Sequence, residues 1–322
     1  MQRPWLTVVM PVYNGERYLS EALESVALQG DDDIEVLALD DGSTDRSLDL
    51  LRRWESRLPL RIERPPRCGN WVAVTNRGLA MGRGEYACFL HQDDVWRRDR
   101  LRVLRKMVEE VPTTDFLMHA TGYIDRRGLH LGRYHPPFRE SAGDLPAAEV
   151  VKPFLIQNVL SIPSALFRRA VALEGGGLDE RLWYSADWDL WLRLASRGRA
   201  RCVPRVLAGY RLHPHTQTSV RSGDLAEFRR QHEIVFDKHF PAWKASLPDA
   251  EDVAARARFS IDVNTALAAL ASRQKAGLGR LAGAFASLGV SGACRYLHDS
   301  RIFERMTARL RGRLWSARPA DR

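Results

Sequence analysis

Apolar runs and amphipathic segments alternate along the N-terminal third of the chain. Three runs are almost continuously apolar, as expected for strands buried on both faces of a parallel sheet, at 6–12, 34–39 and 86–90. Three other segments have apolar residues at helical spacing, at 18–28, 44–54 and 72–81. A shorter strand is predicted at 61–63, and Ser43 or Thr44 is the predicted N-cap of the second helix. This alternation predicts an α/β fold with a doubly wound, mostly parallel sheet.

The pattern becomes less regular from Phe116 onward and then turns helical. Residues 121–138 are rich in Gly, Pro and His, which predicts a hairpin with loops. Helices and strands are then predicted at 145–157, 164–167, 187–196 and 203–212. Further helices are predicted at 224–239, 251–273 and 300–315. Pro241 is expected to end the first of these three. We therefore divide the chain into an α/β domain, 1–221, and a helical, basic C-terminal extension, 222–322.

The positive charge of the protein lies in the C-terminal extension. The formal net charge is +9, and residues 273–322 contain 11 Lys and Arg against 3 Asp and Glu. The rest of the chain is almost neutral. This argues against a nucleic-acid-binding protein, because a groove for nucleic acid needs its own basic face. We expect no nucleic acid partner.

The predicted helix at 300–315 has two interpretations. Its apolar residues share one side, namely Ile302, Phe303, Met306 and Leu310. Its arginines recur at i+4 spacing, namely Arg301, Arg305, Arg309 and Arg313. The helix could pack on the body with a solvated basic face. It could instead lie on an anionic membrane surface, with the apolar side in the lipid and the arginines among the headgroups. We favour the second interpretation, since it would suit an acceptor carried on a lipid.

Cysteine spacing and hydropathy predict the compartment. Four cysteines show neither CxxC spacing nor a zinc signature, at 68, 88, 202 and 294. The apolar part of the N-terminus is too short for a signal peptide, and no apolar run reaches the roughly 18 residues of a membrane span. We expect a cytoplasmic protein, or one peripheral to the inner face of the cell membrane.

Polar motifs follow three of the predicted strands. They are PVYNG at 11–15, DDGSTD at 40–45 and HQDD at 91–94. Ligands of such sheets bind beyond the carboxyl ends of the strands. A nucleoside diphosphate needs a surface for the base, an acid for the ribose and a cation for the phosphates, and carboxylates suit Mg²⁺ or Mn²⁺. The chain contains neither a GxGxxG fingerprint nor a P-loop motif. The motifs therefore predict a different kind of nucleotide site.

Together with ADWDLWLRLASRG at 186–198, these motifs resemble the family-2 group of inverting glycosyltransferases, which have the GT-A fold. The resemblance covers roughly residues 5–220, and its four motifs occur in the family's order and spacing. It implies a nucleotide-sugar donor, a UDP- or dTDP-sugar, and a single displacement at the anomeric carbon with inversion. It also implies a saccharide or lipid-linked acceptor, in the biosynthesis of a cell-surface polysaccharide or glycolipid.

The resemblance gives roles to individual residues. Nucleotide-sugar binding falls on Pro11, Tyr13, Asp41 and Asp93. Asp94 matches the last acid of the family's DXD-type motif, a ligand of Mg²⁺ or Mn²⁺, and His213 matches a position that reaches the diphosphate or the metal. Asp187 matches the catalytic base, which would take the proton from the acceptor hydroxyl. A cation on Asp94 would offset the charge on the departing diphosphate.

Three positions depart from the family's pattern. His91 replaces an acid and would bind a metal only when neutral, so metal binding in HQDD is assigned to Asp94. Ala186 replaces the first acid of the pair that ends in Asp187, and Thr75 replaces an arginine. The chain has no QxxRW-type motif, which argues against the processive polymerising branch of the family.

Ordinary structural roles compete with these assignments. The acids of DDGSTD could belong to a helix-capping loop, and Asp187 could be the N-cap of its own helix. His213 could be an ordinary loop histidine. Asp189 is expected to be structural, paired with Arg193 at i+4 spacing.

Two other functions remain open from the sequence. A sugar nucleotidyltransferase also uses a nucleotide-binding sheet and acid-bound Mg²⁺, but PVYNGERYL lacks the Gly-rich loop expected after its first strand. A non-catalytic nucleotide-sugar-binding relative is suggested by the departures at His91, Ala186 and Thr75. The acids retained in the four motifs favour an enzyme.

Overall fold

The computed structural model describes residues 3–213 and 223–316. Its strands are β1 (Leu6–Val12), β2 (Ile34–Asp40), β3 (Leu60–Glu63), β4 (Tyr86–Phe89), β5 (Val95–Trp96), β6 (Phe116–Ile124), β7 (His130–Tyr134), β8 (Ala165–Arg168) and β9 (Ala200–Arg211). Its helices are α1 (Leu19–Ala27), α2 (Ser47–Trp54), α3 (Trp71–Met81), α4 (Arg100–Glu110), α5 (Ala147–Ile156), α6 (Arg169–Glu174), α7 (Ala186–Ala195), α8 (Leu225–Lys244), α9 (Ala250–Ala271), α10 (Leu278–Ser287), α11 (Gly289–Ser300) and α12 (Ile302–Ser316).

Within the described residues, one sheet of nine strands has the order β3-β2-β1-β4-β8-β6-β9-β5, and β7 pairs with β6. The first four strands of this order are parallel. β8 runs antiparallel to β4 and β6, whereas β6 and β9 are parallel to each other. The α/β class predicted from the sequence is confirmed, and the carboxyl ends of β1, β2 and β4 lie at one edge.

The apolar runs of the sequence form strands that are covered on both faces. Successive side chains of a strand point to opposite faces of the sheet. Val9 accordingly lies in one buried cluster with Leu37 and Phe89, whereas Val8 lies in a second cluster with Val36. Burying one such side chain stabilises the fold by about 1.5–3 kcal/mol relative to exposing it. Continuous apolar runs are therefore required here.

Helix α2 begins three residues later than the sequence predicts. Ser43 and Thr44 bond to the turn after β1 instead of capping the helix. The Asn14 N–H donates to Ser43 Oγ (3.0 Å), and the Thr44 N–H donates to Asn14 Oδ1 (2.8 Å). These bonds hold Asn14 in the left-handed region, with φ +48°. The predicted N-cap at Ser43 or Thr44 is wrong, and Arg46 occupies that position.

Other elements also differ from the sequence-based prediction. The sequence predicts an irregular region from Phe116, whereas the structure has the fully buried strand β6, followed by the predicted hairpin to β7.

Pro241 lies inside α8, so the predicted end of that helix is wrong. Phe240 and Trp243 pack against the main hydrophobic cluster, which offsets the hydrogen bond that proline cannot donate.

The C-terminal extension is helical, as predicted, and it shares the core of the α/β part. Phe259 of α9 and Tyr296 of α11 belong to the same buried cluster as the sheet residues. Ser260 Oγ and Asn264 Nδ2 both donate to Gln157 Oε1, each at 2.7 Å. The extension is therefore joined to the α/β part by polar and apolar contacts. The position of the domain boundary stays a prediction.

Helix α12 packs along β7 and directs its apolar residues to two different sides. Ile302 and Ala308 are buried, and the Ala308 Cβ lies 3.4 Å from where a Cβ would stand on Gly132. Three apolar side chains are exposed, with 60%, 36% and 55% of their surface accessible, on Phe303, Met306 and Leu310. The predicted single apolar side is therefore wrong for Ile302. Among the described residues, no helix has both the length and the apolar character needed to cross a membrane.

Candidate active site

The loop after β1 is bonded to the loop after β4 through one glutamine. The Tyr13 N–H donates to Gln92 Oε1 (2.8 Å), and Gln92 Nε2 donates back to the Tyr13 carbonyl (3.0 Å). A Cβ on Gly15 would lie 2.4 Å from Gln92 Oε1, so another residue there would displace this amide. PVYNG and HQDD therefore form one rigid edge of the site.

Tyr13 presents an aromatic ring next to a cation at this edge. Arg67 Nη2 donates to the Tyr13 hydroxyl (2.7 Å), and the guanidinium carbon lies 4.6 Å from the centre of the Tyr13 ring. The Arg67 side chain crosses Gly42, which has φ +79° and where a Cβ would lie 3.2 Å from Arg67 Cβ. Pro11 precedes Tyr13 near the end of β1, in register with Leu39 of β2. These residues border a surface suited to a planar base.

Asp41 holds the loop that precedes α3. Its Oδ1 accepts from the Cys68 N–H (2.8 Å), and its Oδ2 accepts from the Gly69 N–H (2.9 Å). Asp40 orients the same edge by accepting from the Ser43 N–H (2.9 Å). A carboxylate oxygen can accept two hydrogen bonds, so Asp41 keeps capacity for the N–H of a base. The contact of Asp41 with a base stays a prediction.

His91, Asp93 and Asp94 bring three potential metal ligands together; we call them the His-Asp-Asp cluster. One ligand atom from each lies within 4.8 Å of the others. Asp94 Oδ1 accepts from the Arg211 N–H (2.9 Å), but its Oδ2 is buried without a hydrogen-bond partner in the described part of the chain. His91 Nε2 is also buried without such a partner among the described residues. Buried polar atoms are nearly always paired, so these two atoms fit a divalent cation.

The electrostatics of the His-Asp-Asp cluster also fit a bound divalent cation. Burial raises the pKa of the Asp94 carboxyl well above its usual range, and the charge of Asp93 raises it further. A bound cation would oppose this rise by favouring the carboxylate. Burial lowers the pKa of His91, so its imidazole is neutral near pH 7, the form that binds metals. The fold thus makes a candidate ligand of a residue that departs from the family's pattern.

His213 lies beside the His-Asp-Asp cluster, in contact with Asp93. Its Nε2 is 2.9 Å from Asp93 Oδ2, and its ring is 5.0 Å from that of Tyr18. Burial opposes ionisation of Asp93, but His213 and His91 outweigh it and hold the pKa of Asp93 below its usual range. The metal role of His213 and the ribose role of Asp93 stay predictions.

Arg211, at the end of β9, holds the HQDD loop in place. Its Nε donates to the Asp93 carbonyl (2.8 Å), and its Nη1 donates to the Asp125 carbonyl (3.0 Å). Its Nη2 pairs with Glu21 Oε2 at 2.7 Å, and its guanidinium lies 4.6 Å from the Tyr18 ring centre. The side chain is completely buried. Arg211 is therefore a positioning residue for the two acids of the loop.

Asp187 lies in the first turn of α7, with both carboxylate oxygens bonded. Oδ1 accepts from the Trp188 N–H (2.8 Å), and Oδ2 accepts from Asn158 Nδ2 (3.2 Å). Burial nevertheless raises the pKa of Asp187 to about 6. The N-cap of α7 is Ser185, so the alternative that Asp187 caps its own helix is wrong. A carboxylate with a raised pKa suits a general base near neutral pH.

Tyrosines connect Asp187 with the His-Asp-Asp cluster. Asn158, which donates to Asp187, accepts from the Tyr134 hydroxyl (2.7 Å) through its carbonyl. The ring centres of Tyr134 and Tyr123 are 5.9 Å apart, and those of Tyr123 and Tyr210 are 6.0 Å apart.

Burial raises the pKa of Tyr210, and the charges of Asp94 and Asp93 raise it further. Tyr184 adds to the same rise, so it also lies close to Tyr210. Burial likewise raises the pKa of Tyr184, which lies in the field of Asp187. The candidate base and the cluster therefore border one region.

Asp189 is structural, as predicted. It is completely buried, and its Oδ2 accepts from Arg193 Nε at 3.1 Å. Its Oδ1 lies 2.7 Å from Lys238 Nζ and 2.8 Å from His239 Nε2. The bonds to Lys238 and His239 join α7 to α8, whereas the bond to Arg193 lies within α7. The neighbouring acids Asp187 and Asp189 thus have different roles.

The sequence of residues 7–172 matches the model of a known family, described as Glycosyl transferase family 2. The chain belongs to this family. Among the relatives of this glycosyltransferase is an uncharacterized glycosyltransferase of Rickettsia typhi, 26% identical over 70% of this chain and 69% of the relative. Another, from Nostoc sp., is 30% identical over 65% of each chain.

Solved structures share the fold of this glycosyltransferase. Staphylococcus aureus TarS 1-349, in complex with UDP-GlcNAc, superposes with a TM-score of 0.67 at 16% identity, over 97% of this chain and 91% of TarS 1-349. The mannosyltransferase PcManGT from Pyrobaculum calidifontis, in complex with GDP-Man and Mn²⁺, gives 0.58 at 20% identity, over 99% and 89%. At these identities the likeness shows the fold alone. The predicted GT-A fold is confirmed.

The family assignment confirms the glycosyltransferase prediction, and the nucleotidyltransferase alternative is wrong. Four residues of the candidate site received no role from the sequence, namely Arg67, Gln92, Asn158 and Arg211. Gln92 lies inside HQDD, so its position was a usable signal. Arg211 is a lone charge at the end of the apolar run VLAGYRL, which is typical of a buried, paired cation. Arg67 and Asn158 reach the site through loop contacts that leave no pattern.

Proposed function

We propose that this glycosyltransferase moves a sugar from a nucleoside-diphosphate sugar to an acceptor hydroxyl with inversion at the anomeric carbon. The observation that carries the proposal is the series of contacts from Asp187 through Asn158, Tyr134 and Tyr123 to Tyr210, which precedes the Arg211 that binds Asp94 of the His-Asp-Asp cluster. The pKa of Asp187 is raised to about 6. A donor bound between Asp187 and the cluster would have its diphosphate at the cluster and its sugar facing the base. The donors held by TarS and PcManGT, UDP-GlcNAc and GDP-Man, support this class of donor.

The proposed reaction is a single displacement. The acceptor oxygen attacks the anomeric carbon while the bond from that carbon to the diphosphate oxygen breaks. Asp187 takes the proton of the acceptor hydroxyl, and Asn158 keeps the carboxylate oriented through the bond to Oδ2. A divalent cation, when bound at the His-Asp-Asp cluster, offsets charge on the leaving diphosphate. Gln92 and Arg211 hold the cluster in place before the donor arrives.

We propose a UDP- or dTDP-sugar as the donor. Pro11 and Tyr13 would border the base, and Asp41 would accept from N3–H of a pyrimidine with its remaining lone pairs. Arg67 would add a cation beside the Tyr13 ring. Asp93 would bind the ribose. A panel of UDP-, dTDP- and GDP-sugars with Mn²⁺, measured by release of the nucleoside diphosphate, tests this assignment.

Replacing Asp187 with Asn should reduce donor turnover by about 10²–10⁴-fold, because a general base contributes this much. The measurement is nucleoside diphosphate release with the donor that the panel selects. Glu174→Gln is the matched control, since Glu174 is an exposed acid nearby in the sequence, with 63% of its side chain accessible. Release by Asp187→Asn at the wild-type rate would remove Asp187 from the role of base.

The pH dependence of the same assay distinguishes a base from a structural acid. Asp187 acts as a base only when ionised, so the wild-type rate should fall tenfold per pH unit below about 6.

The thermal stability of the variant is a second test. The raised pKa makes the ionised form of Asp187 costly at pH 7, so Asp187→Asn should unfold at or above the wild-type temperature. A large loss of thermal stability in the variant would indicate a structural role instead.

Metal dependence rests on the His-Asp-Asp cluster. His91→Ala and Asp94→Asn should each weaken Mn²⁺ binding at least about tenfold, because each removes a ligand. Free Mn²⁺ is measured by electron paramagnetic resonance during titration of the purified protein. His130→Ala is the control, since His130 is an exposed histidine on β7. Wild-type affinity in both cluster variants would contradict the assignment, as would donor turnover that survives a chelator.

We propose a saccharide or lipid-linked acceptor, and an enzyme that works in the cytoplasm at the inner face of the membrane, in cell-surface polysaccharide or glycolipid assembly. The exposed apolar residues of α12 support a membrane surface, namely Phe303, Met306 and Leu310. The net charge of residues 273–322 favours anionic lipid. Arg305, however, donates to Asn264 of α9, so it faces the body and not lipid headgroups as the sequence suggests.

Vesicles of phosphatidylcholine with phosphatidylglycerol test the membrane proposal by co-sedimentation. The wild type should bind these vesicles, and replacing Phe303, Met306 and Leu310 together with Ser should abolish binding, because it removes the apolar contact. The control variant replaces three other exposed leucines with Ser, namely Leu28, Leu129 and Leu173. Equal binding by the two triple variants, or no binding by the wild type, would contradict the proposal.

A further inference from the structure

Two arginines of α12, Arg305 and Arg309, are half-buried on the side of the helix that lies near buried tyrosines. Arg305 Nη1 donates to Asn264 Oδ1 (3.1 Å), and Arg305 opposes the rise that burial causes in the pKa of Tyr123. Arg309 follows one turn later on the same side of the helix. The buried residues Ile302 and Ala308 hold this side of α12 against the body. The Arg305 guanidinium is therefore held in place, and Arg309 stands beside it on the helix.

Neither arginine has a carboxylate partner in the described part of the chain. Most described arginines near the core are paired with acids, as Arg256 is with Asp252 and Asp299. Glu304, the acid next to Arg305 in the sequence, pairs with His135 instead. Placing a cation away from water is costly unless an anion compensates it. Two such cations side by side are typical of a site for an anionic ligand.

Tyrosines surround the two arginines and give no counter-charge. Burial raises the pKa of Tyr123, and Arg305 and Arg309 only partly oppose that rise. The same two arginines oppose the rise that burial causes in the pKa of Tyr134 and of Tyr184. All three phenols are therefore neutral at pH 7. We call Tyr123, Tyr134 and Tyr184 the tyrosine wall, because they place uncharged aromatic rings beside the two arginines.

This wall leads directly to the candidate base. The Tyr134 hydroxyl donates to the Asn158 carbonyl (2.7 Å), and Asn158 Nδ2 donates to Asp187 Oδ2 (3.2 Å). Tyr184 lies three residues before Asp187 in the chain and within the field of its carboxylate. The two arginines thus lie on the side of the site that faces Asp187. That is the side where the acceptor hydroxyl would approach.

We propose that Arg305 and Arg309 bind a phosphate group carried by the acceptor, so that the acceptor is a phosphorylated polyol or saccharide. The inference rests on the proposed glycosyl transfer, since it places the acceptor at Asp187. Guanidinium groups bind phosphate oxygens bidentately, which fixes orientation as well as position. A phosphate held there would align one acceptor hydroxyl with the base. The C-terminal extension would then supply part of the acceptor site.

Glycerol 3-phosphate is the probe for this subsite. Its binding is measured by calorimetry on the full chain saturated with Mn²⁺ and the nucleoside diphosphate, so that the donor site is filled. The wild type should bind glycerol 3-phosphate and not glycerol. Arg309→Gln should weaken that binding about tenfold, and Arg309→Lys by less, because lysine keeps the charge but not the fork of donors.

Arg311→Gln is the matched control for this experiment. Arg311 lies on the same helix, but its Nη1 donates to the Leu131 carbonyl (3.0 Å) of β7. Its variant should bind glycerol 3-phosphate within about twofold of the wild type, as expected for a surface charge. Equal affinity of Arg309→Gln and wild type would overturn the proposal. So would the absence of binding by the wild type, or an equal loss in Arg311→Gln.

The phosphate could instead be that of the donor, and the experiment separates the two sources. If Arg309→Gln weakens binding of the nucleoside diphosphate itself by the same factor, the arginine serves the donor and the acceptor proposal is overturned. The binding measurement needs no turnover. If the protein binds glycerol 3-phosphate but releases no nucleoside diphosphate from any donor, the proposed transfer is rejected and the anion site is kept. If it releases nucleoside diphosphate but does not bind glycerol 3-phosphate, only the anion site is rejected.

Discussion

The buried guanidinium of Arg211 is the interaction on which the site depends. It joins β9 to the loop after β4, to the turn after β6 and to α1, through Asp93, Asp125 and Glu21. A buried cation is costly unless its hydrogen bonds are satisfied, so separating these elements would destabilise the protein. The Arg211 backbone N–H also bonds to Asp94. One residue thus fixes both acids of the HQDD loop before any substrate binds.

Several charges of the site lack full compensation. Burial raises the pKa of Asp94 and of Asp187, so each carboxylate is costly to ionise in the free protein. Arg305 and Arg309 have the opposite need, since no carboxylate pairs with them among the described residues. A cation at the His-Asp-Asp cluster and an anionic acceptor near α12 would satisfy both. Such a site is preorganised for charged ligands. Burying its uncompensated charges is unfavourable, and the hydrophobic clusters of the fold offset this cost.

The strands and motifs of the parallel half were predictable because their signals are local. β1, β2 and β4 are buried on both faces and so appear as apolar runs, and their following motifs meet at one edge by topology. The start of α2 was not predictable, because the Ser43 hydroxyl bonds to Asn14, far away in the chain. Pro241 inside α8 depends on tertiary packing in the same way. At both places, contacts between residues far apart in the chain override the local sequence preference.

The site shows the same division between local and long-range information. Asp94 and Asp187 stand in motifs, so their importance could be predicted by resemblance. His91 was harder, because the neutral state that makes it a candidate ligand results from burial. Helical spacing predicts that Arg305 and Arg309 share a side of α12, but only the packing of Ala308 on Gly132 decides that this side faces the body.

Inversion at the anomeric carbon is the central claim, and the sugar released from an α-linked donor tests it most directly. When water replaces the acceptor, Asp187 would activate it on the face opposite the diphosphate. Proton NMR recorded before the released sugar equilibrates distinguishes its two anomers. We predict that the β-anomer is released first and that Asp187→Asn releases little of either. Initial release of the α-anomer would contradict a single displacement and the role given to Asp187.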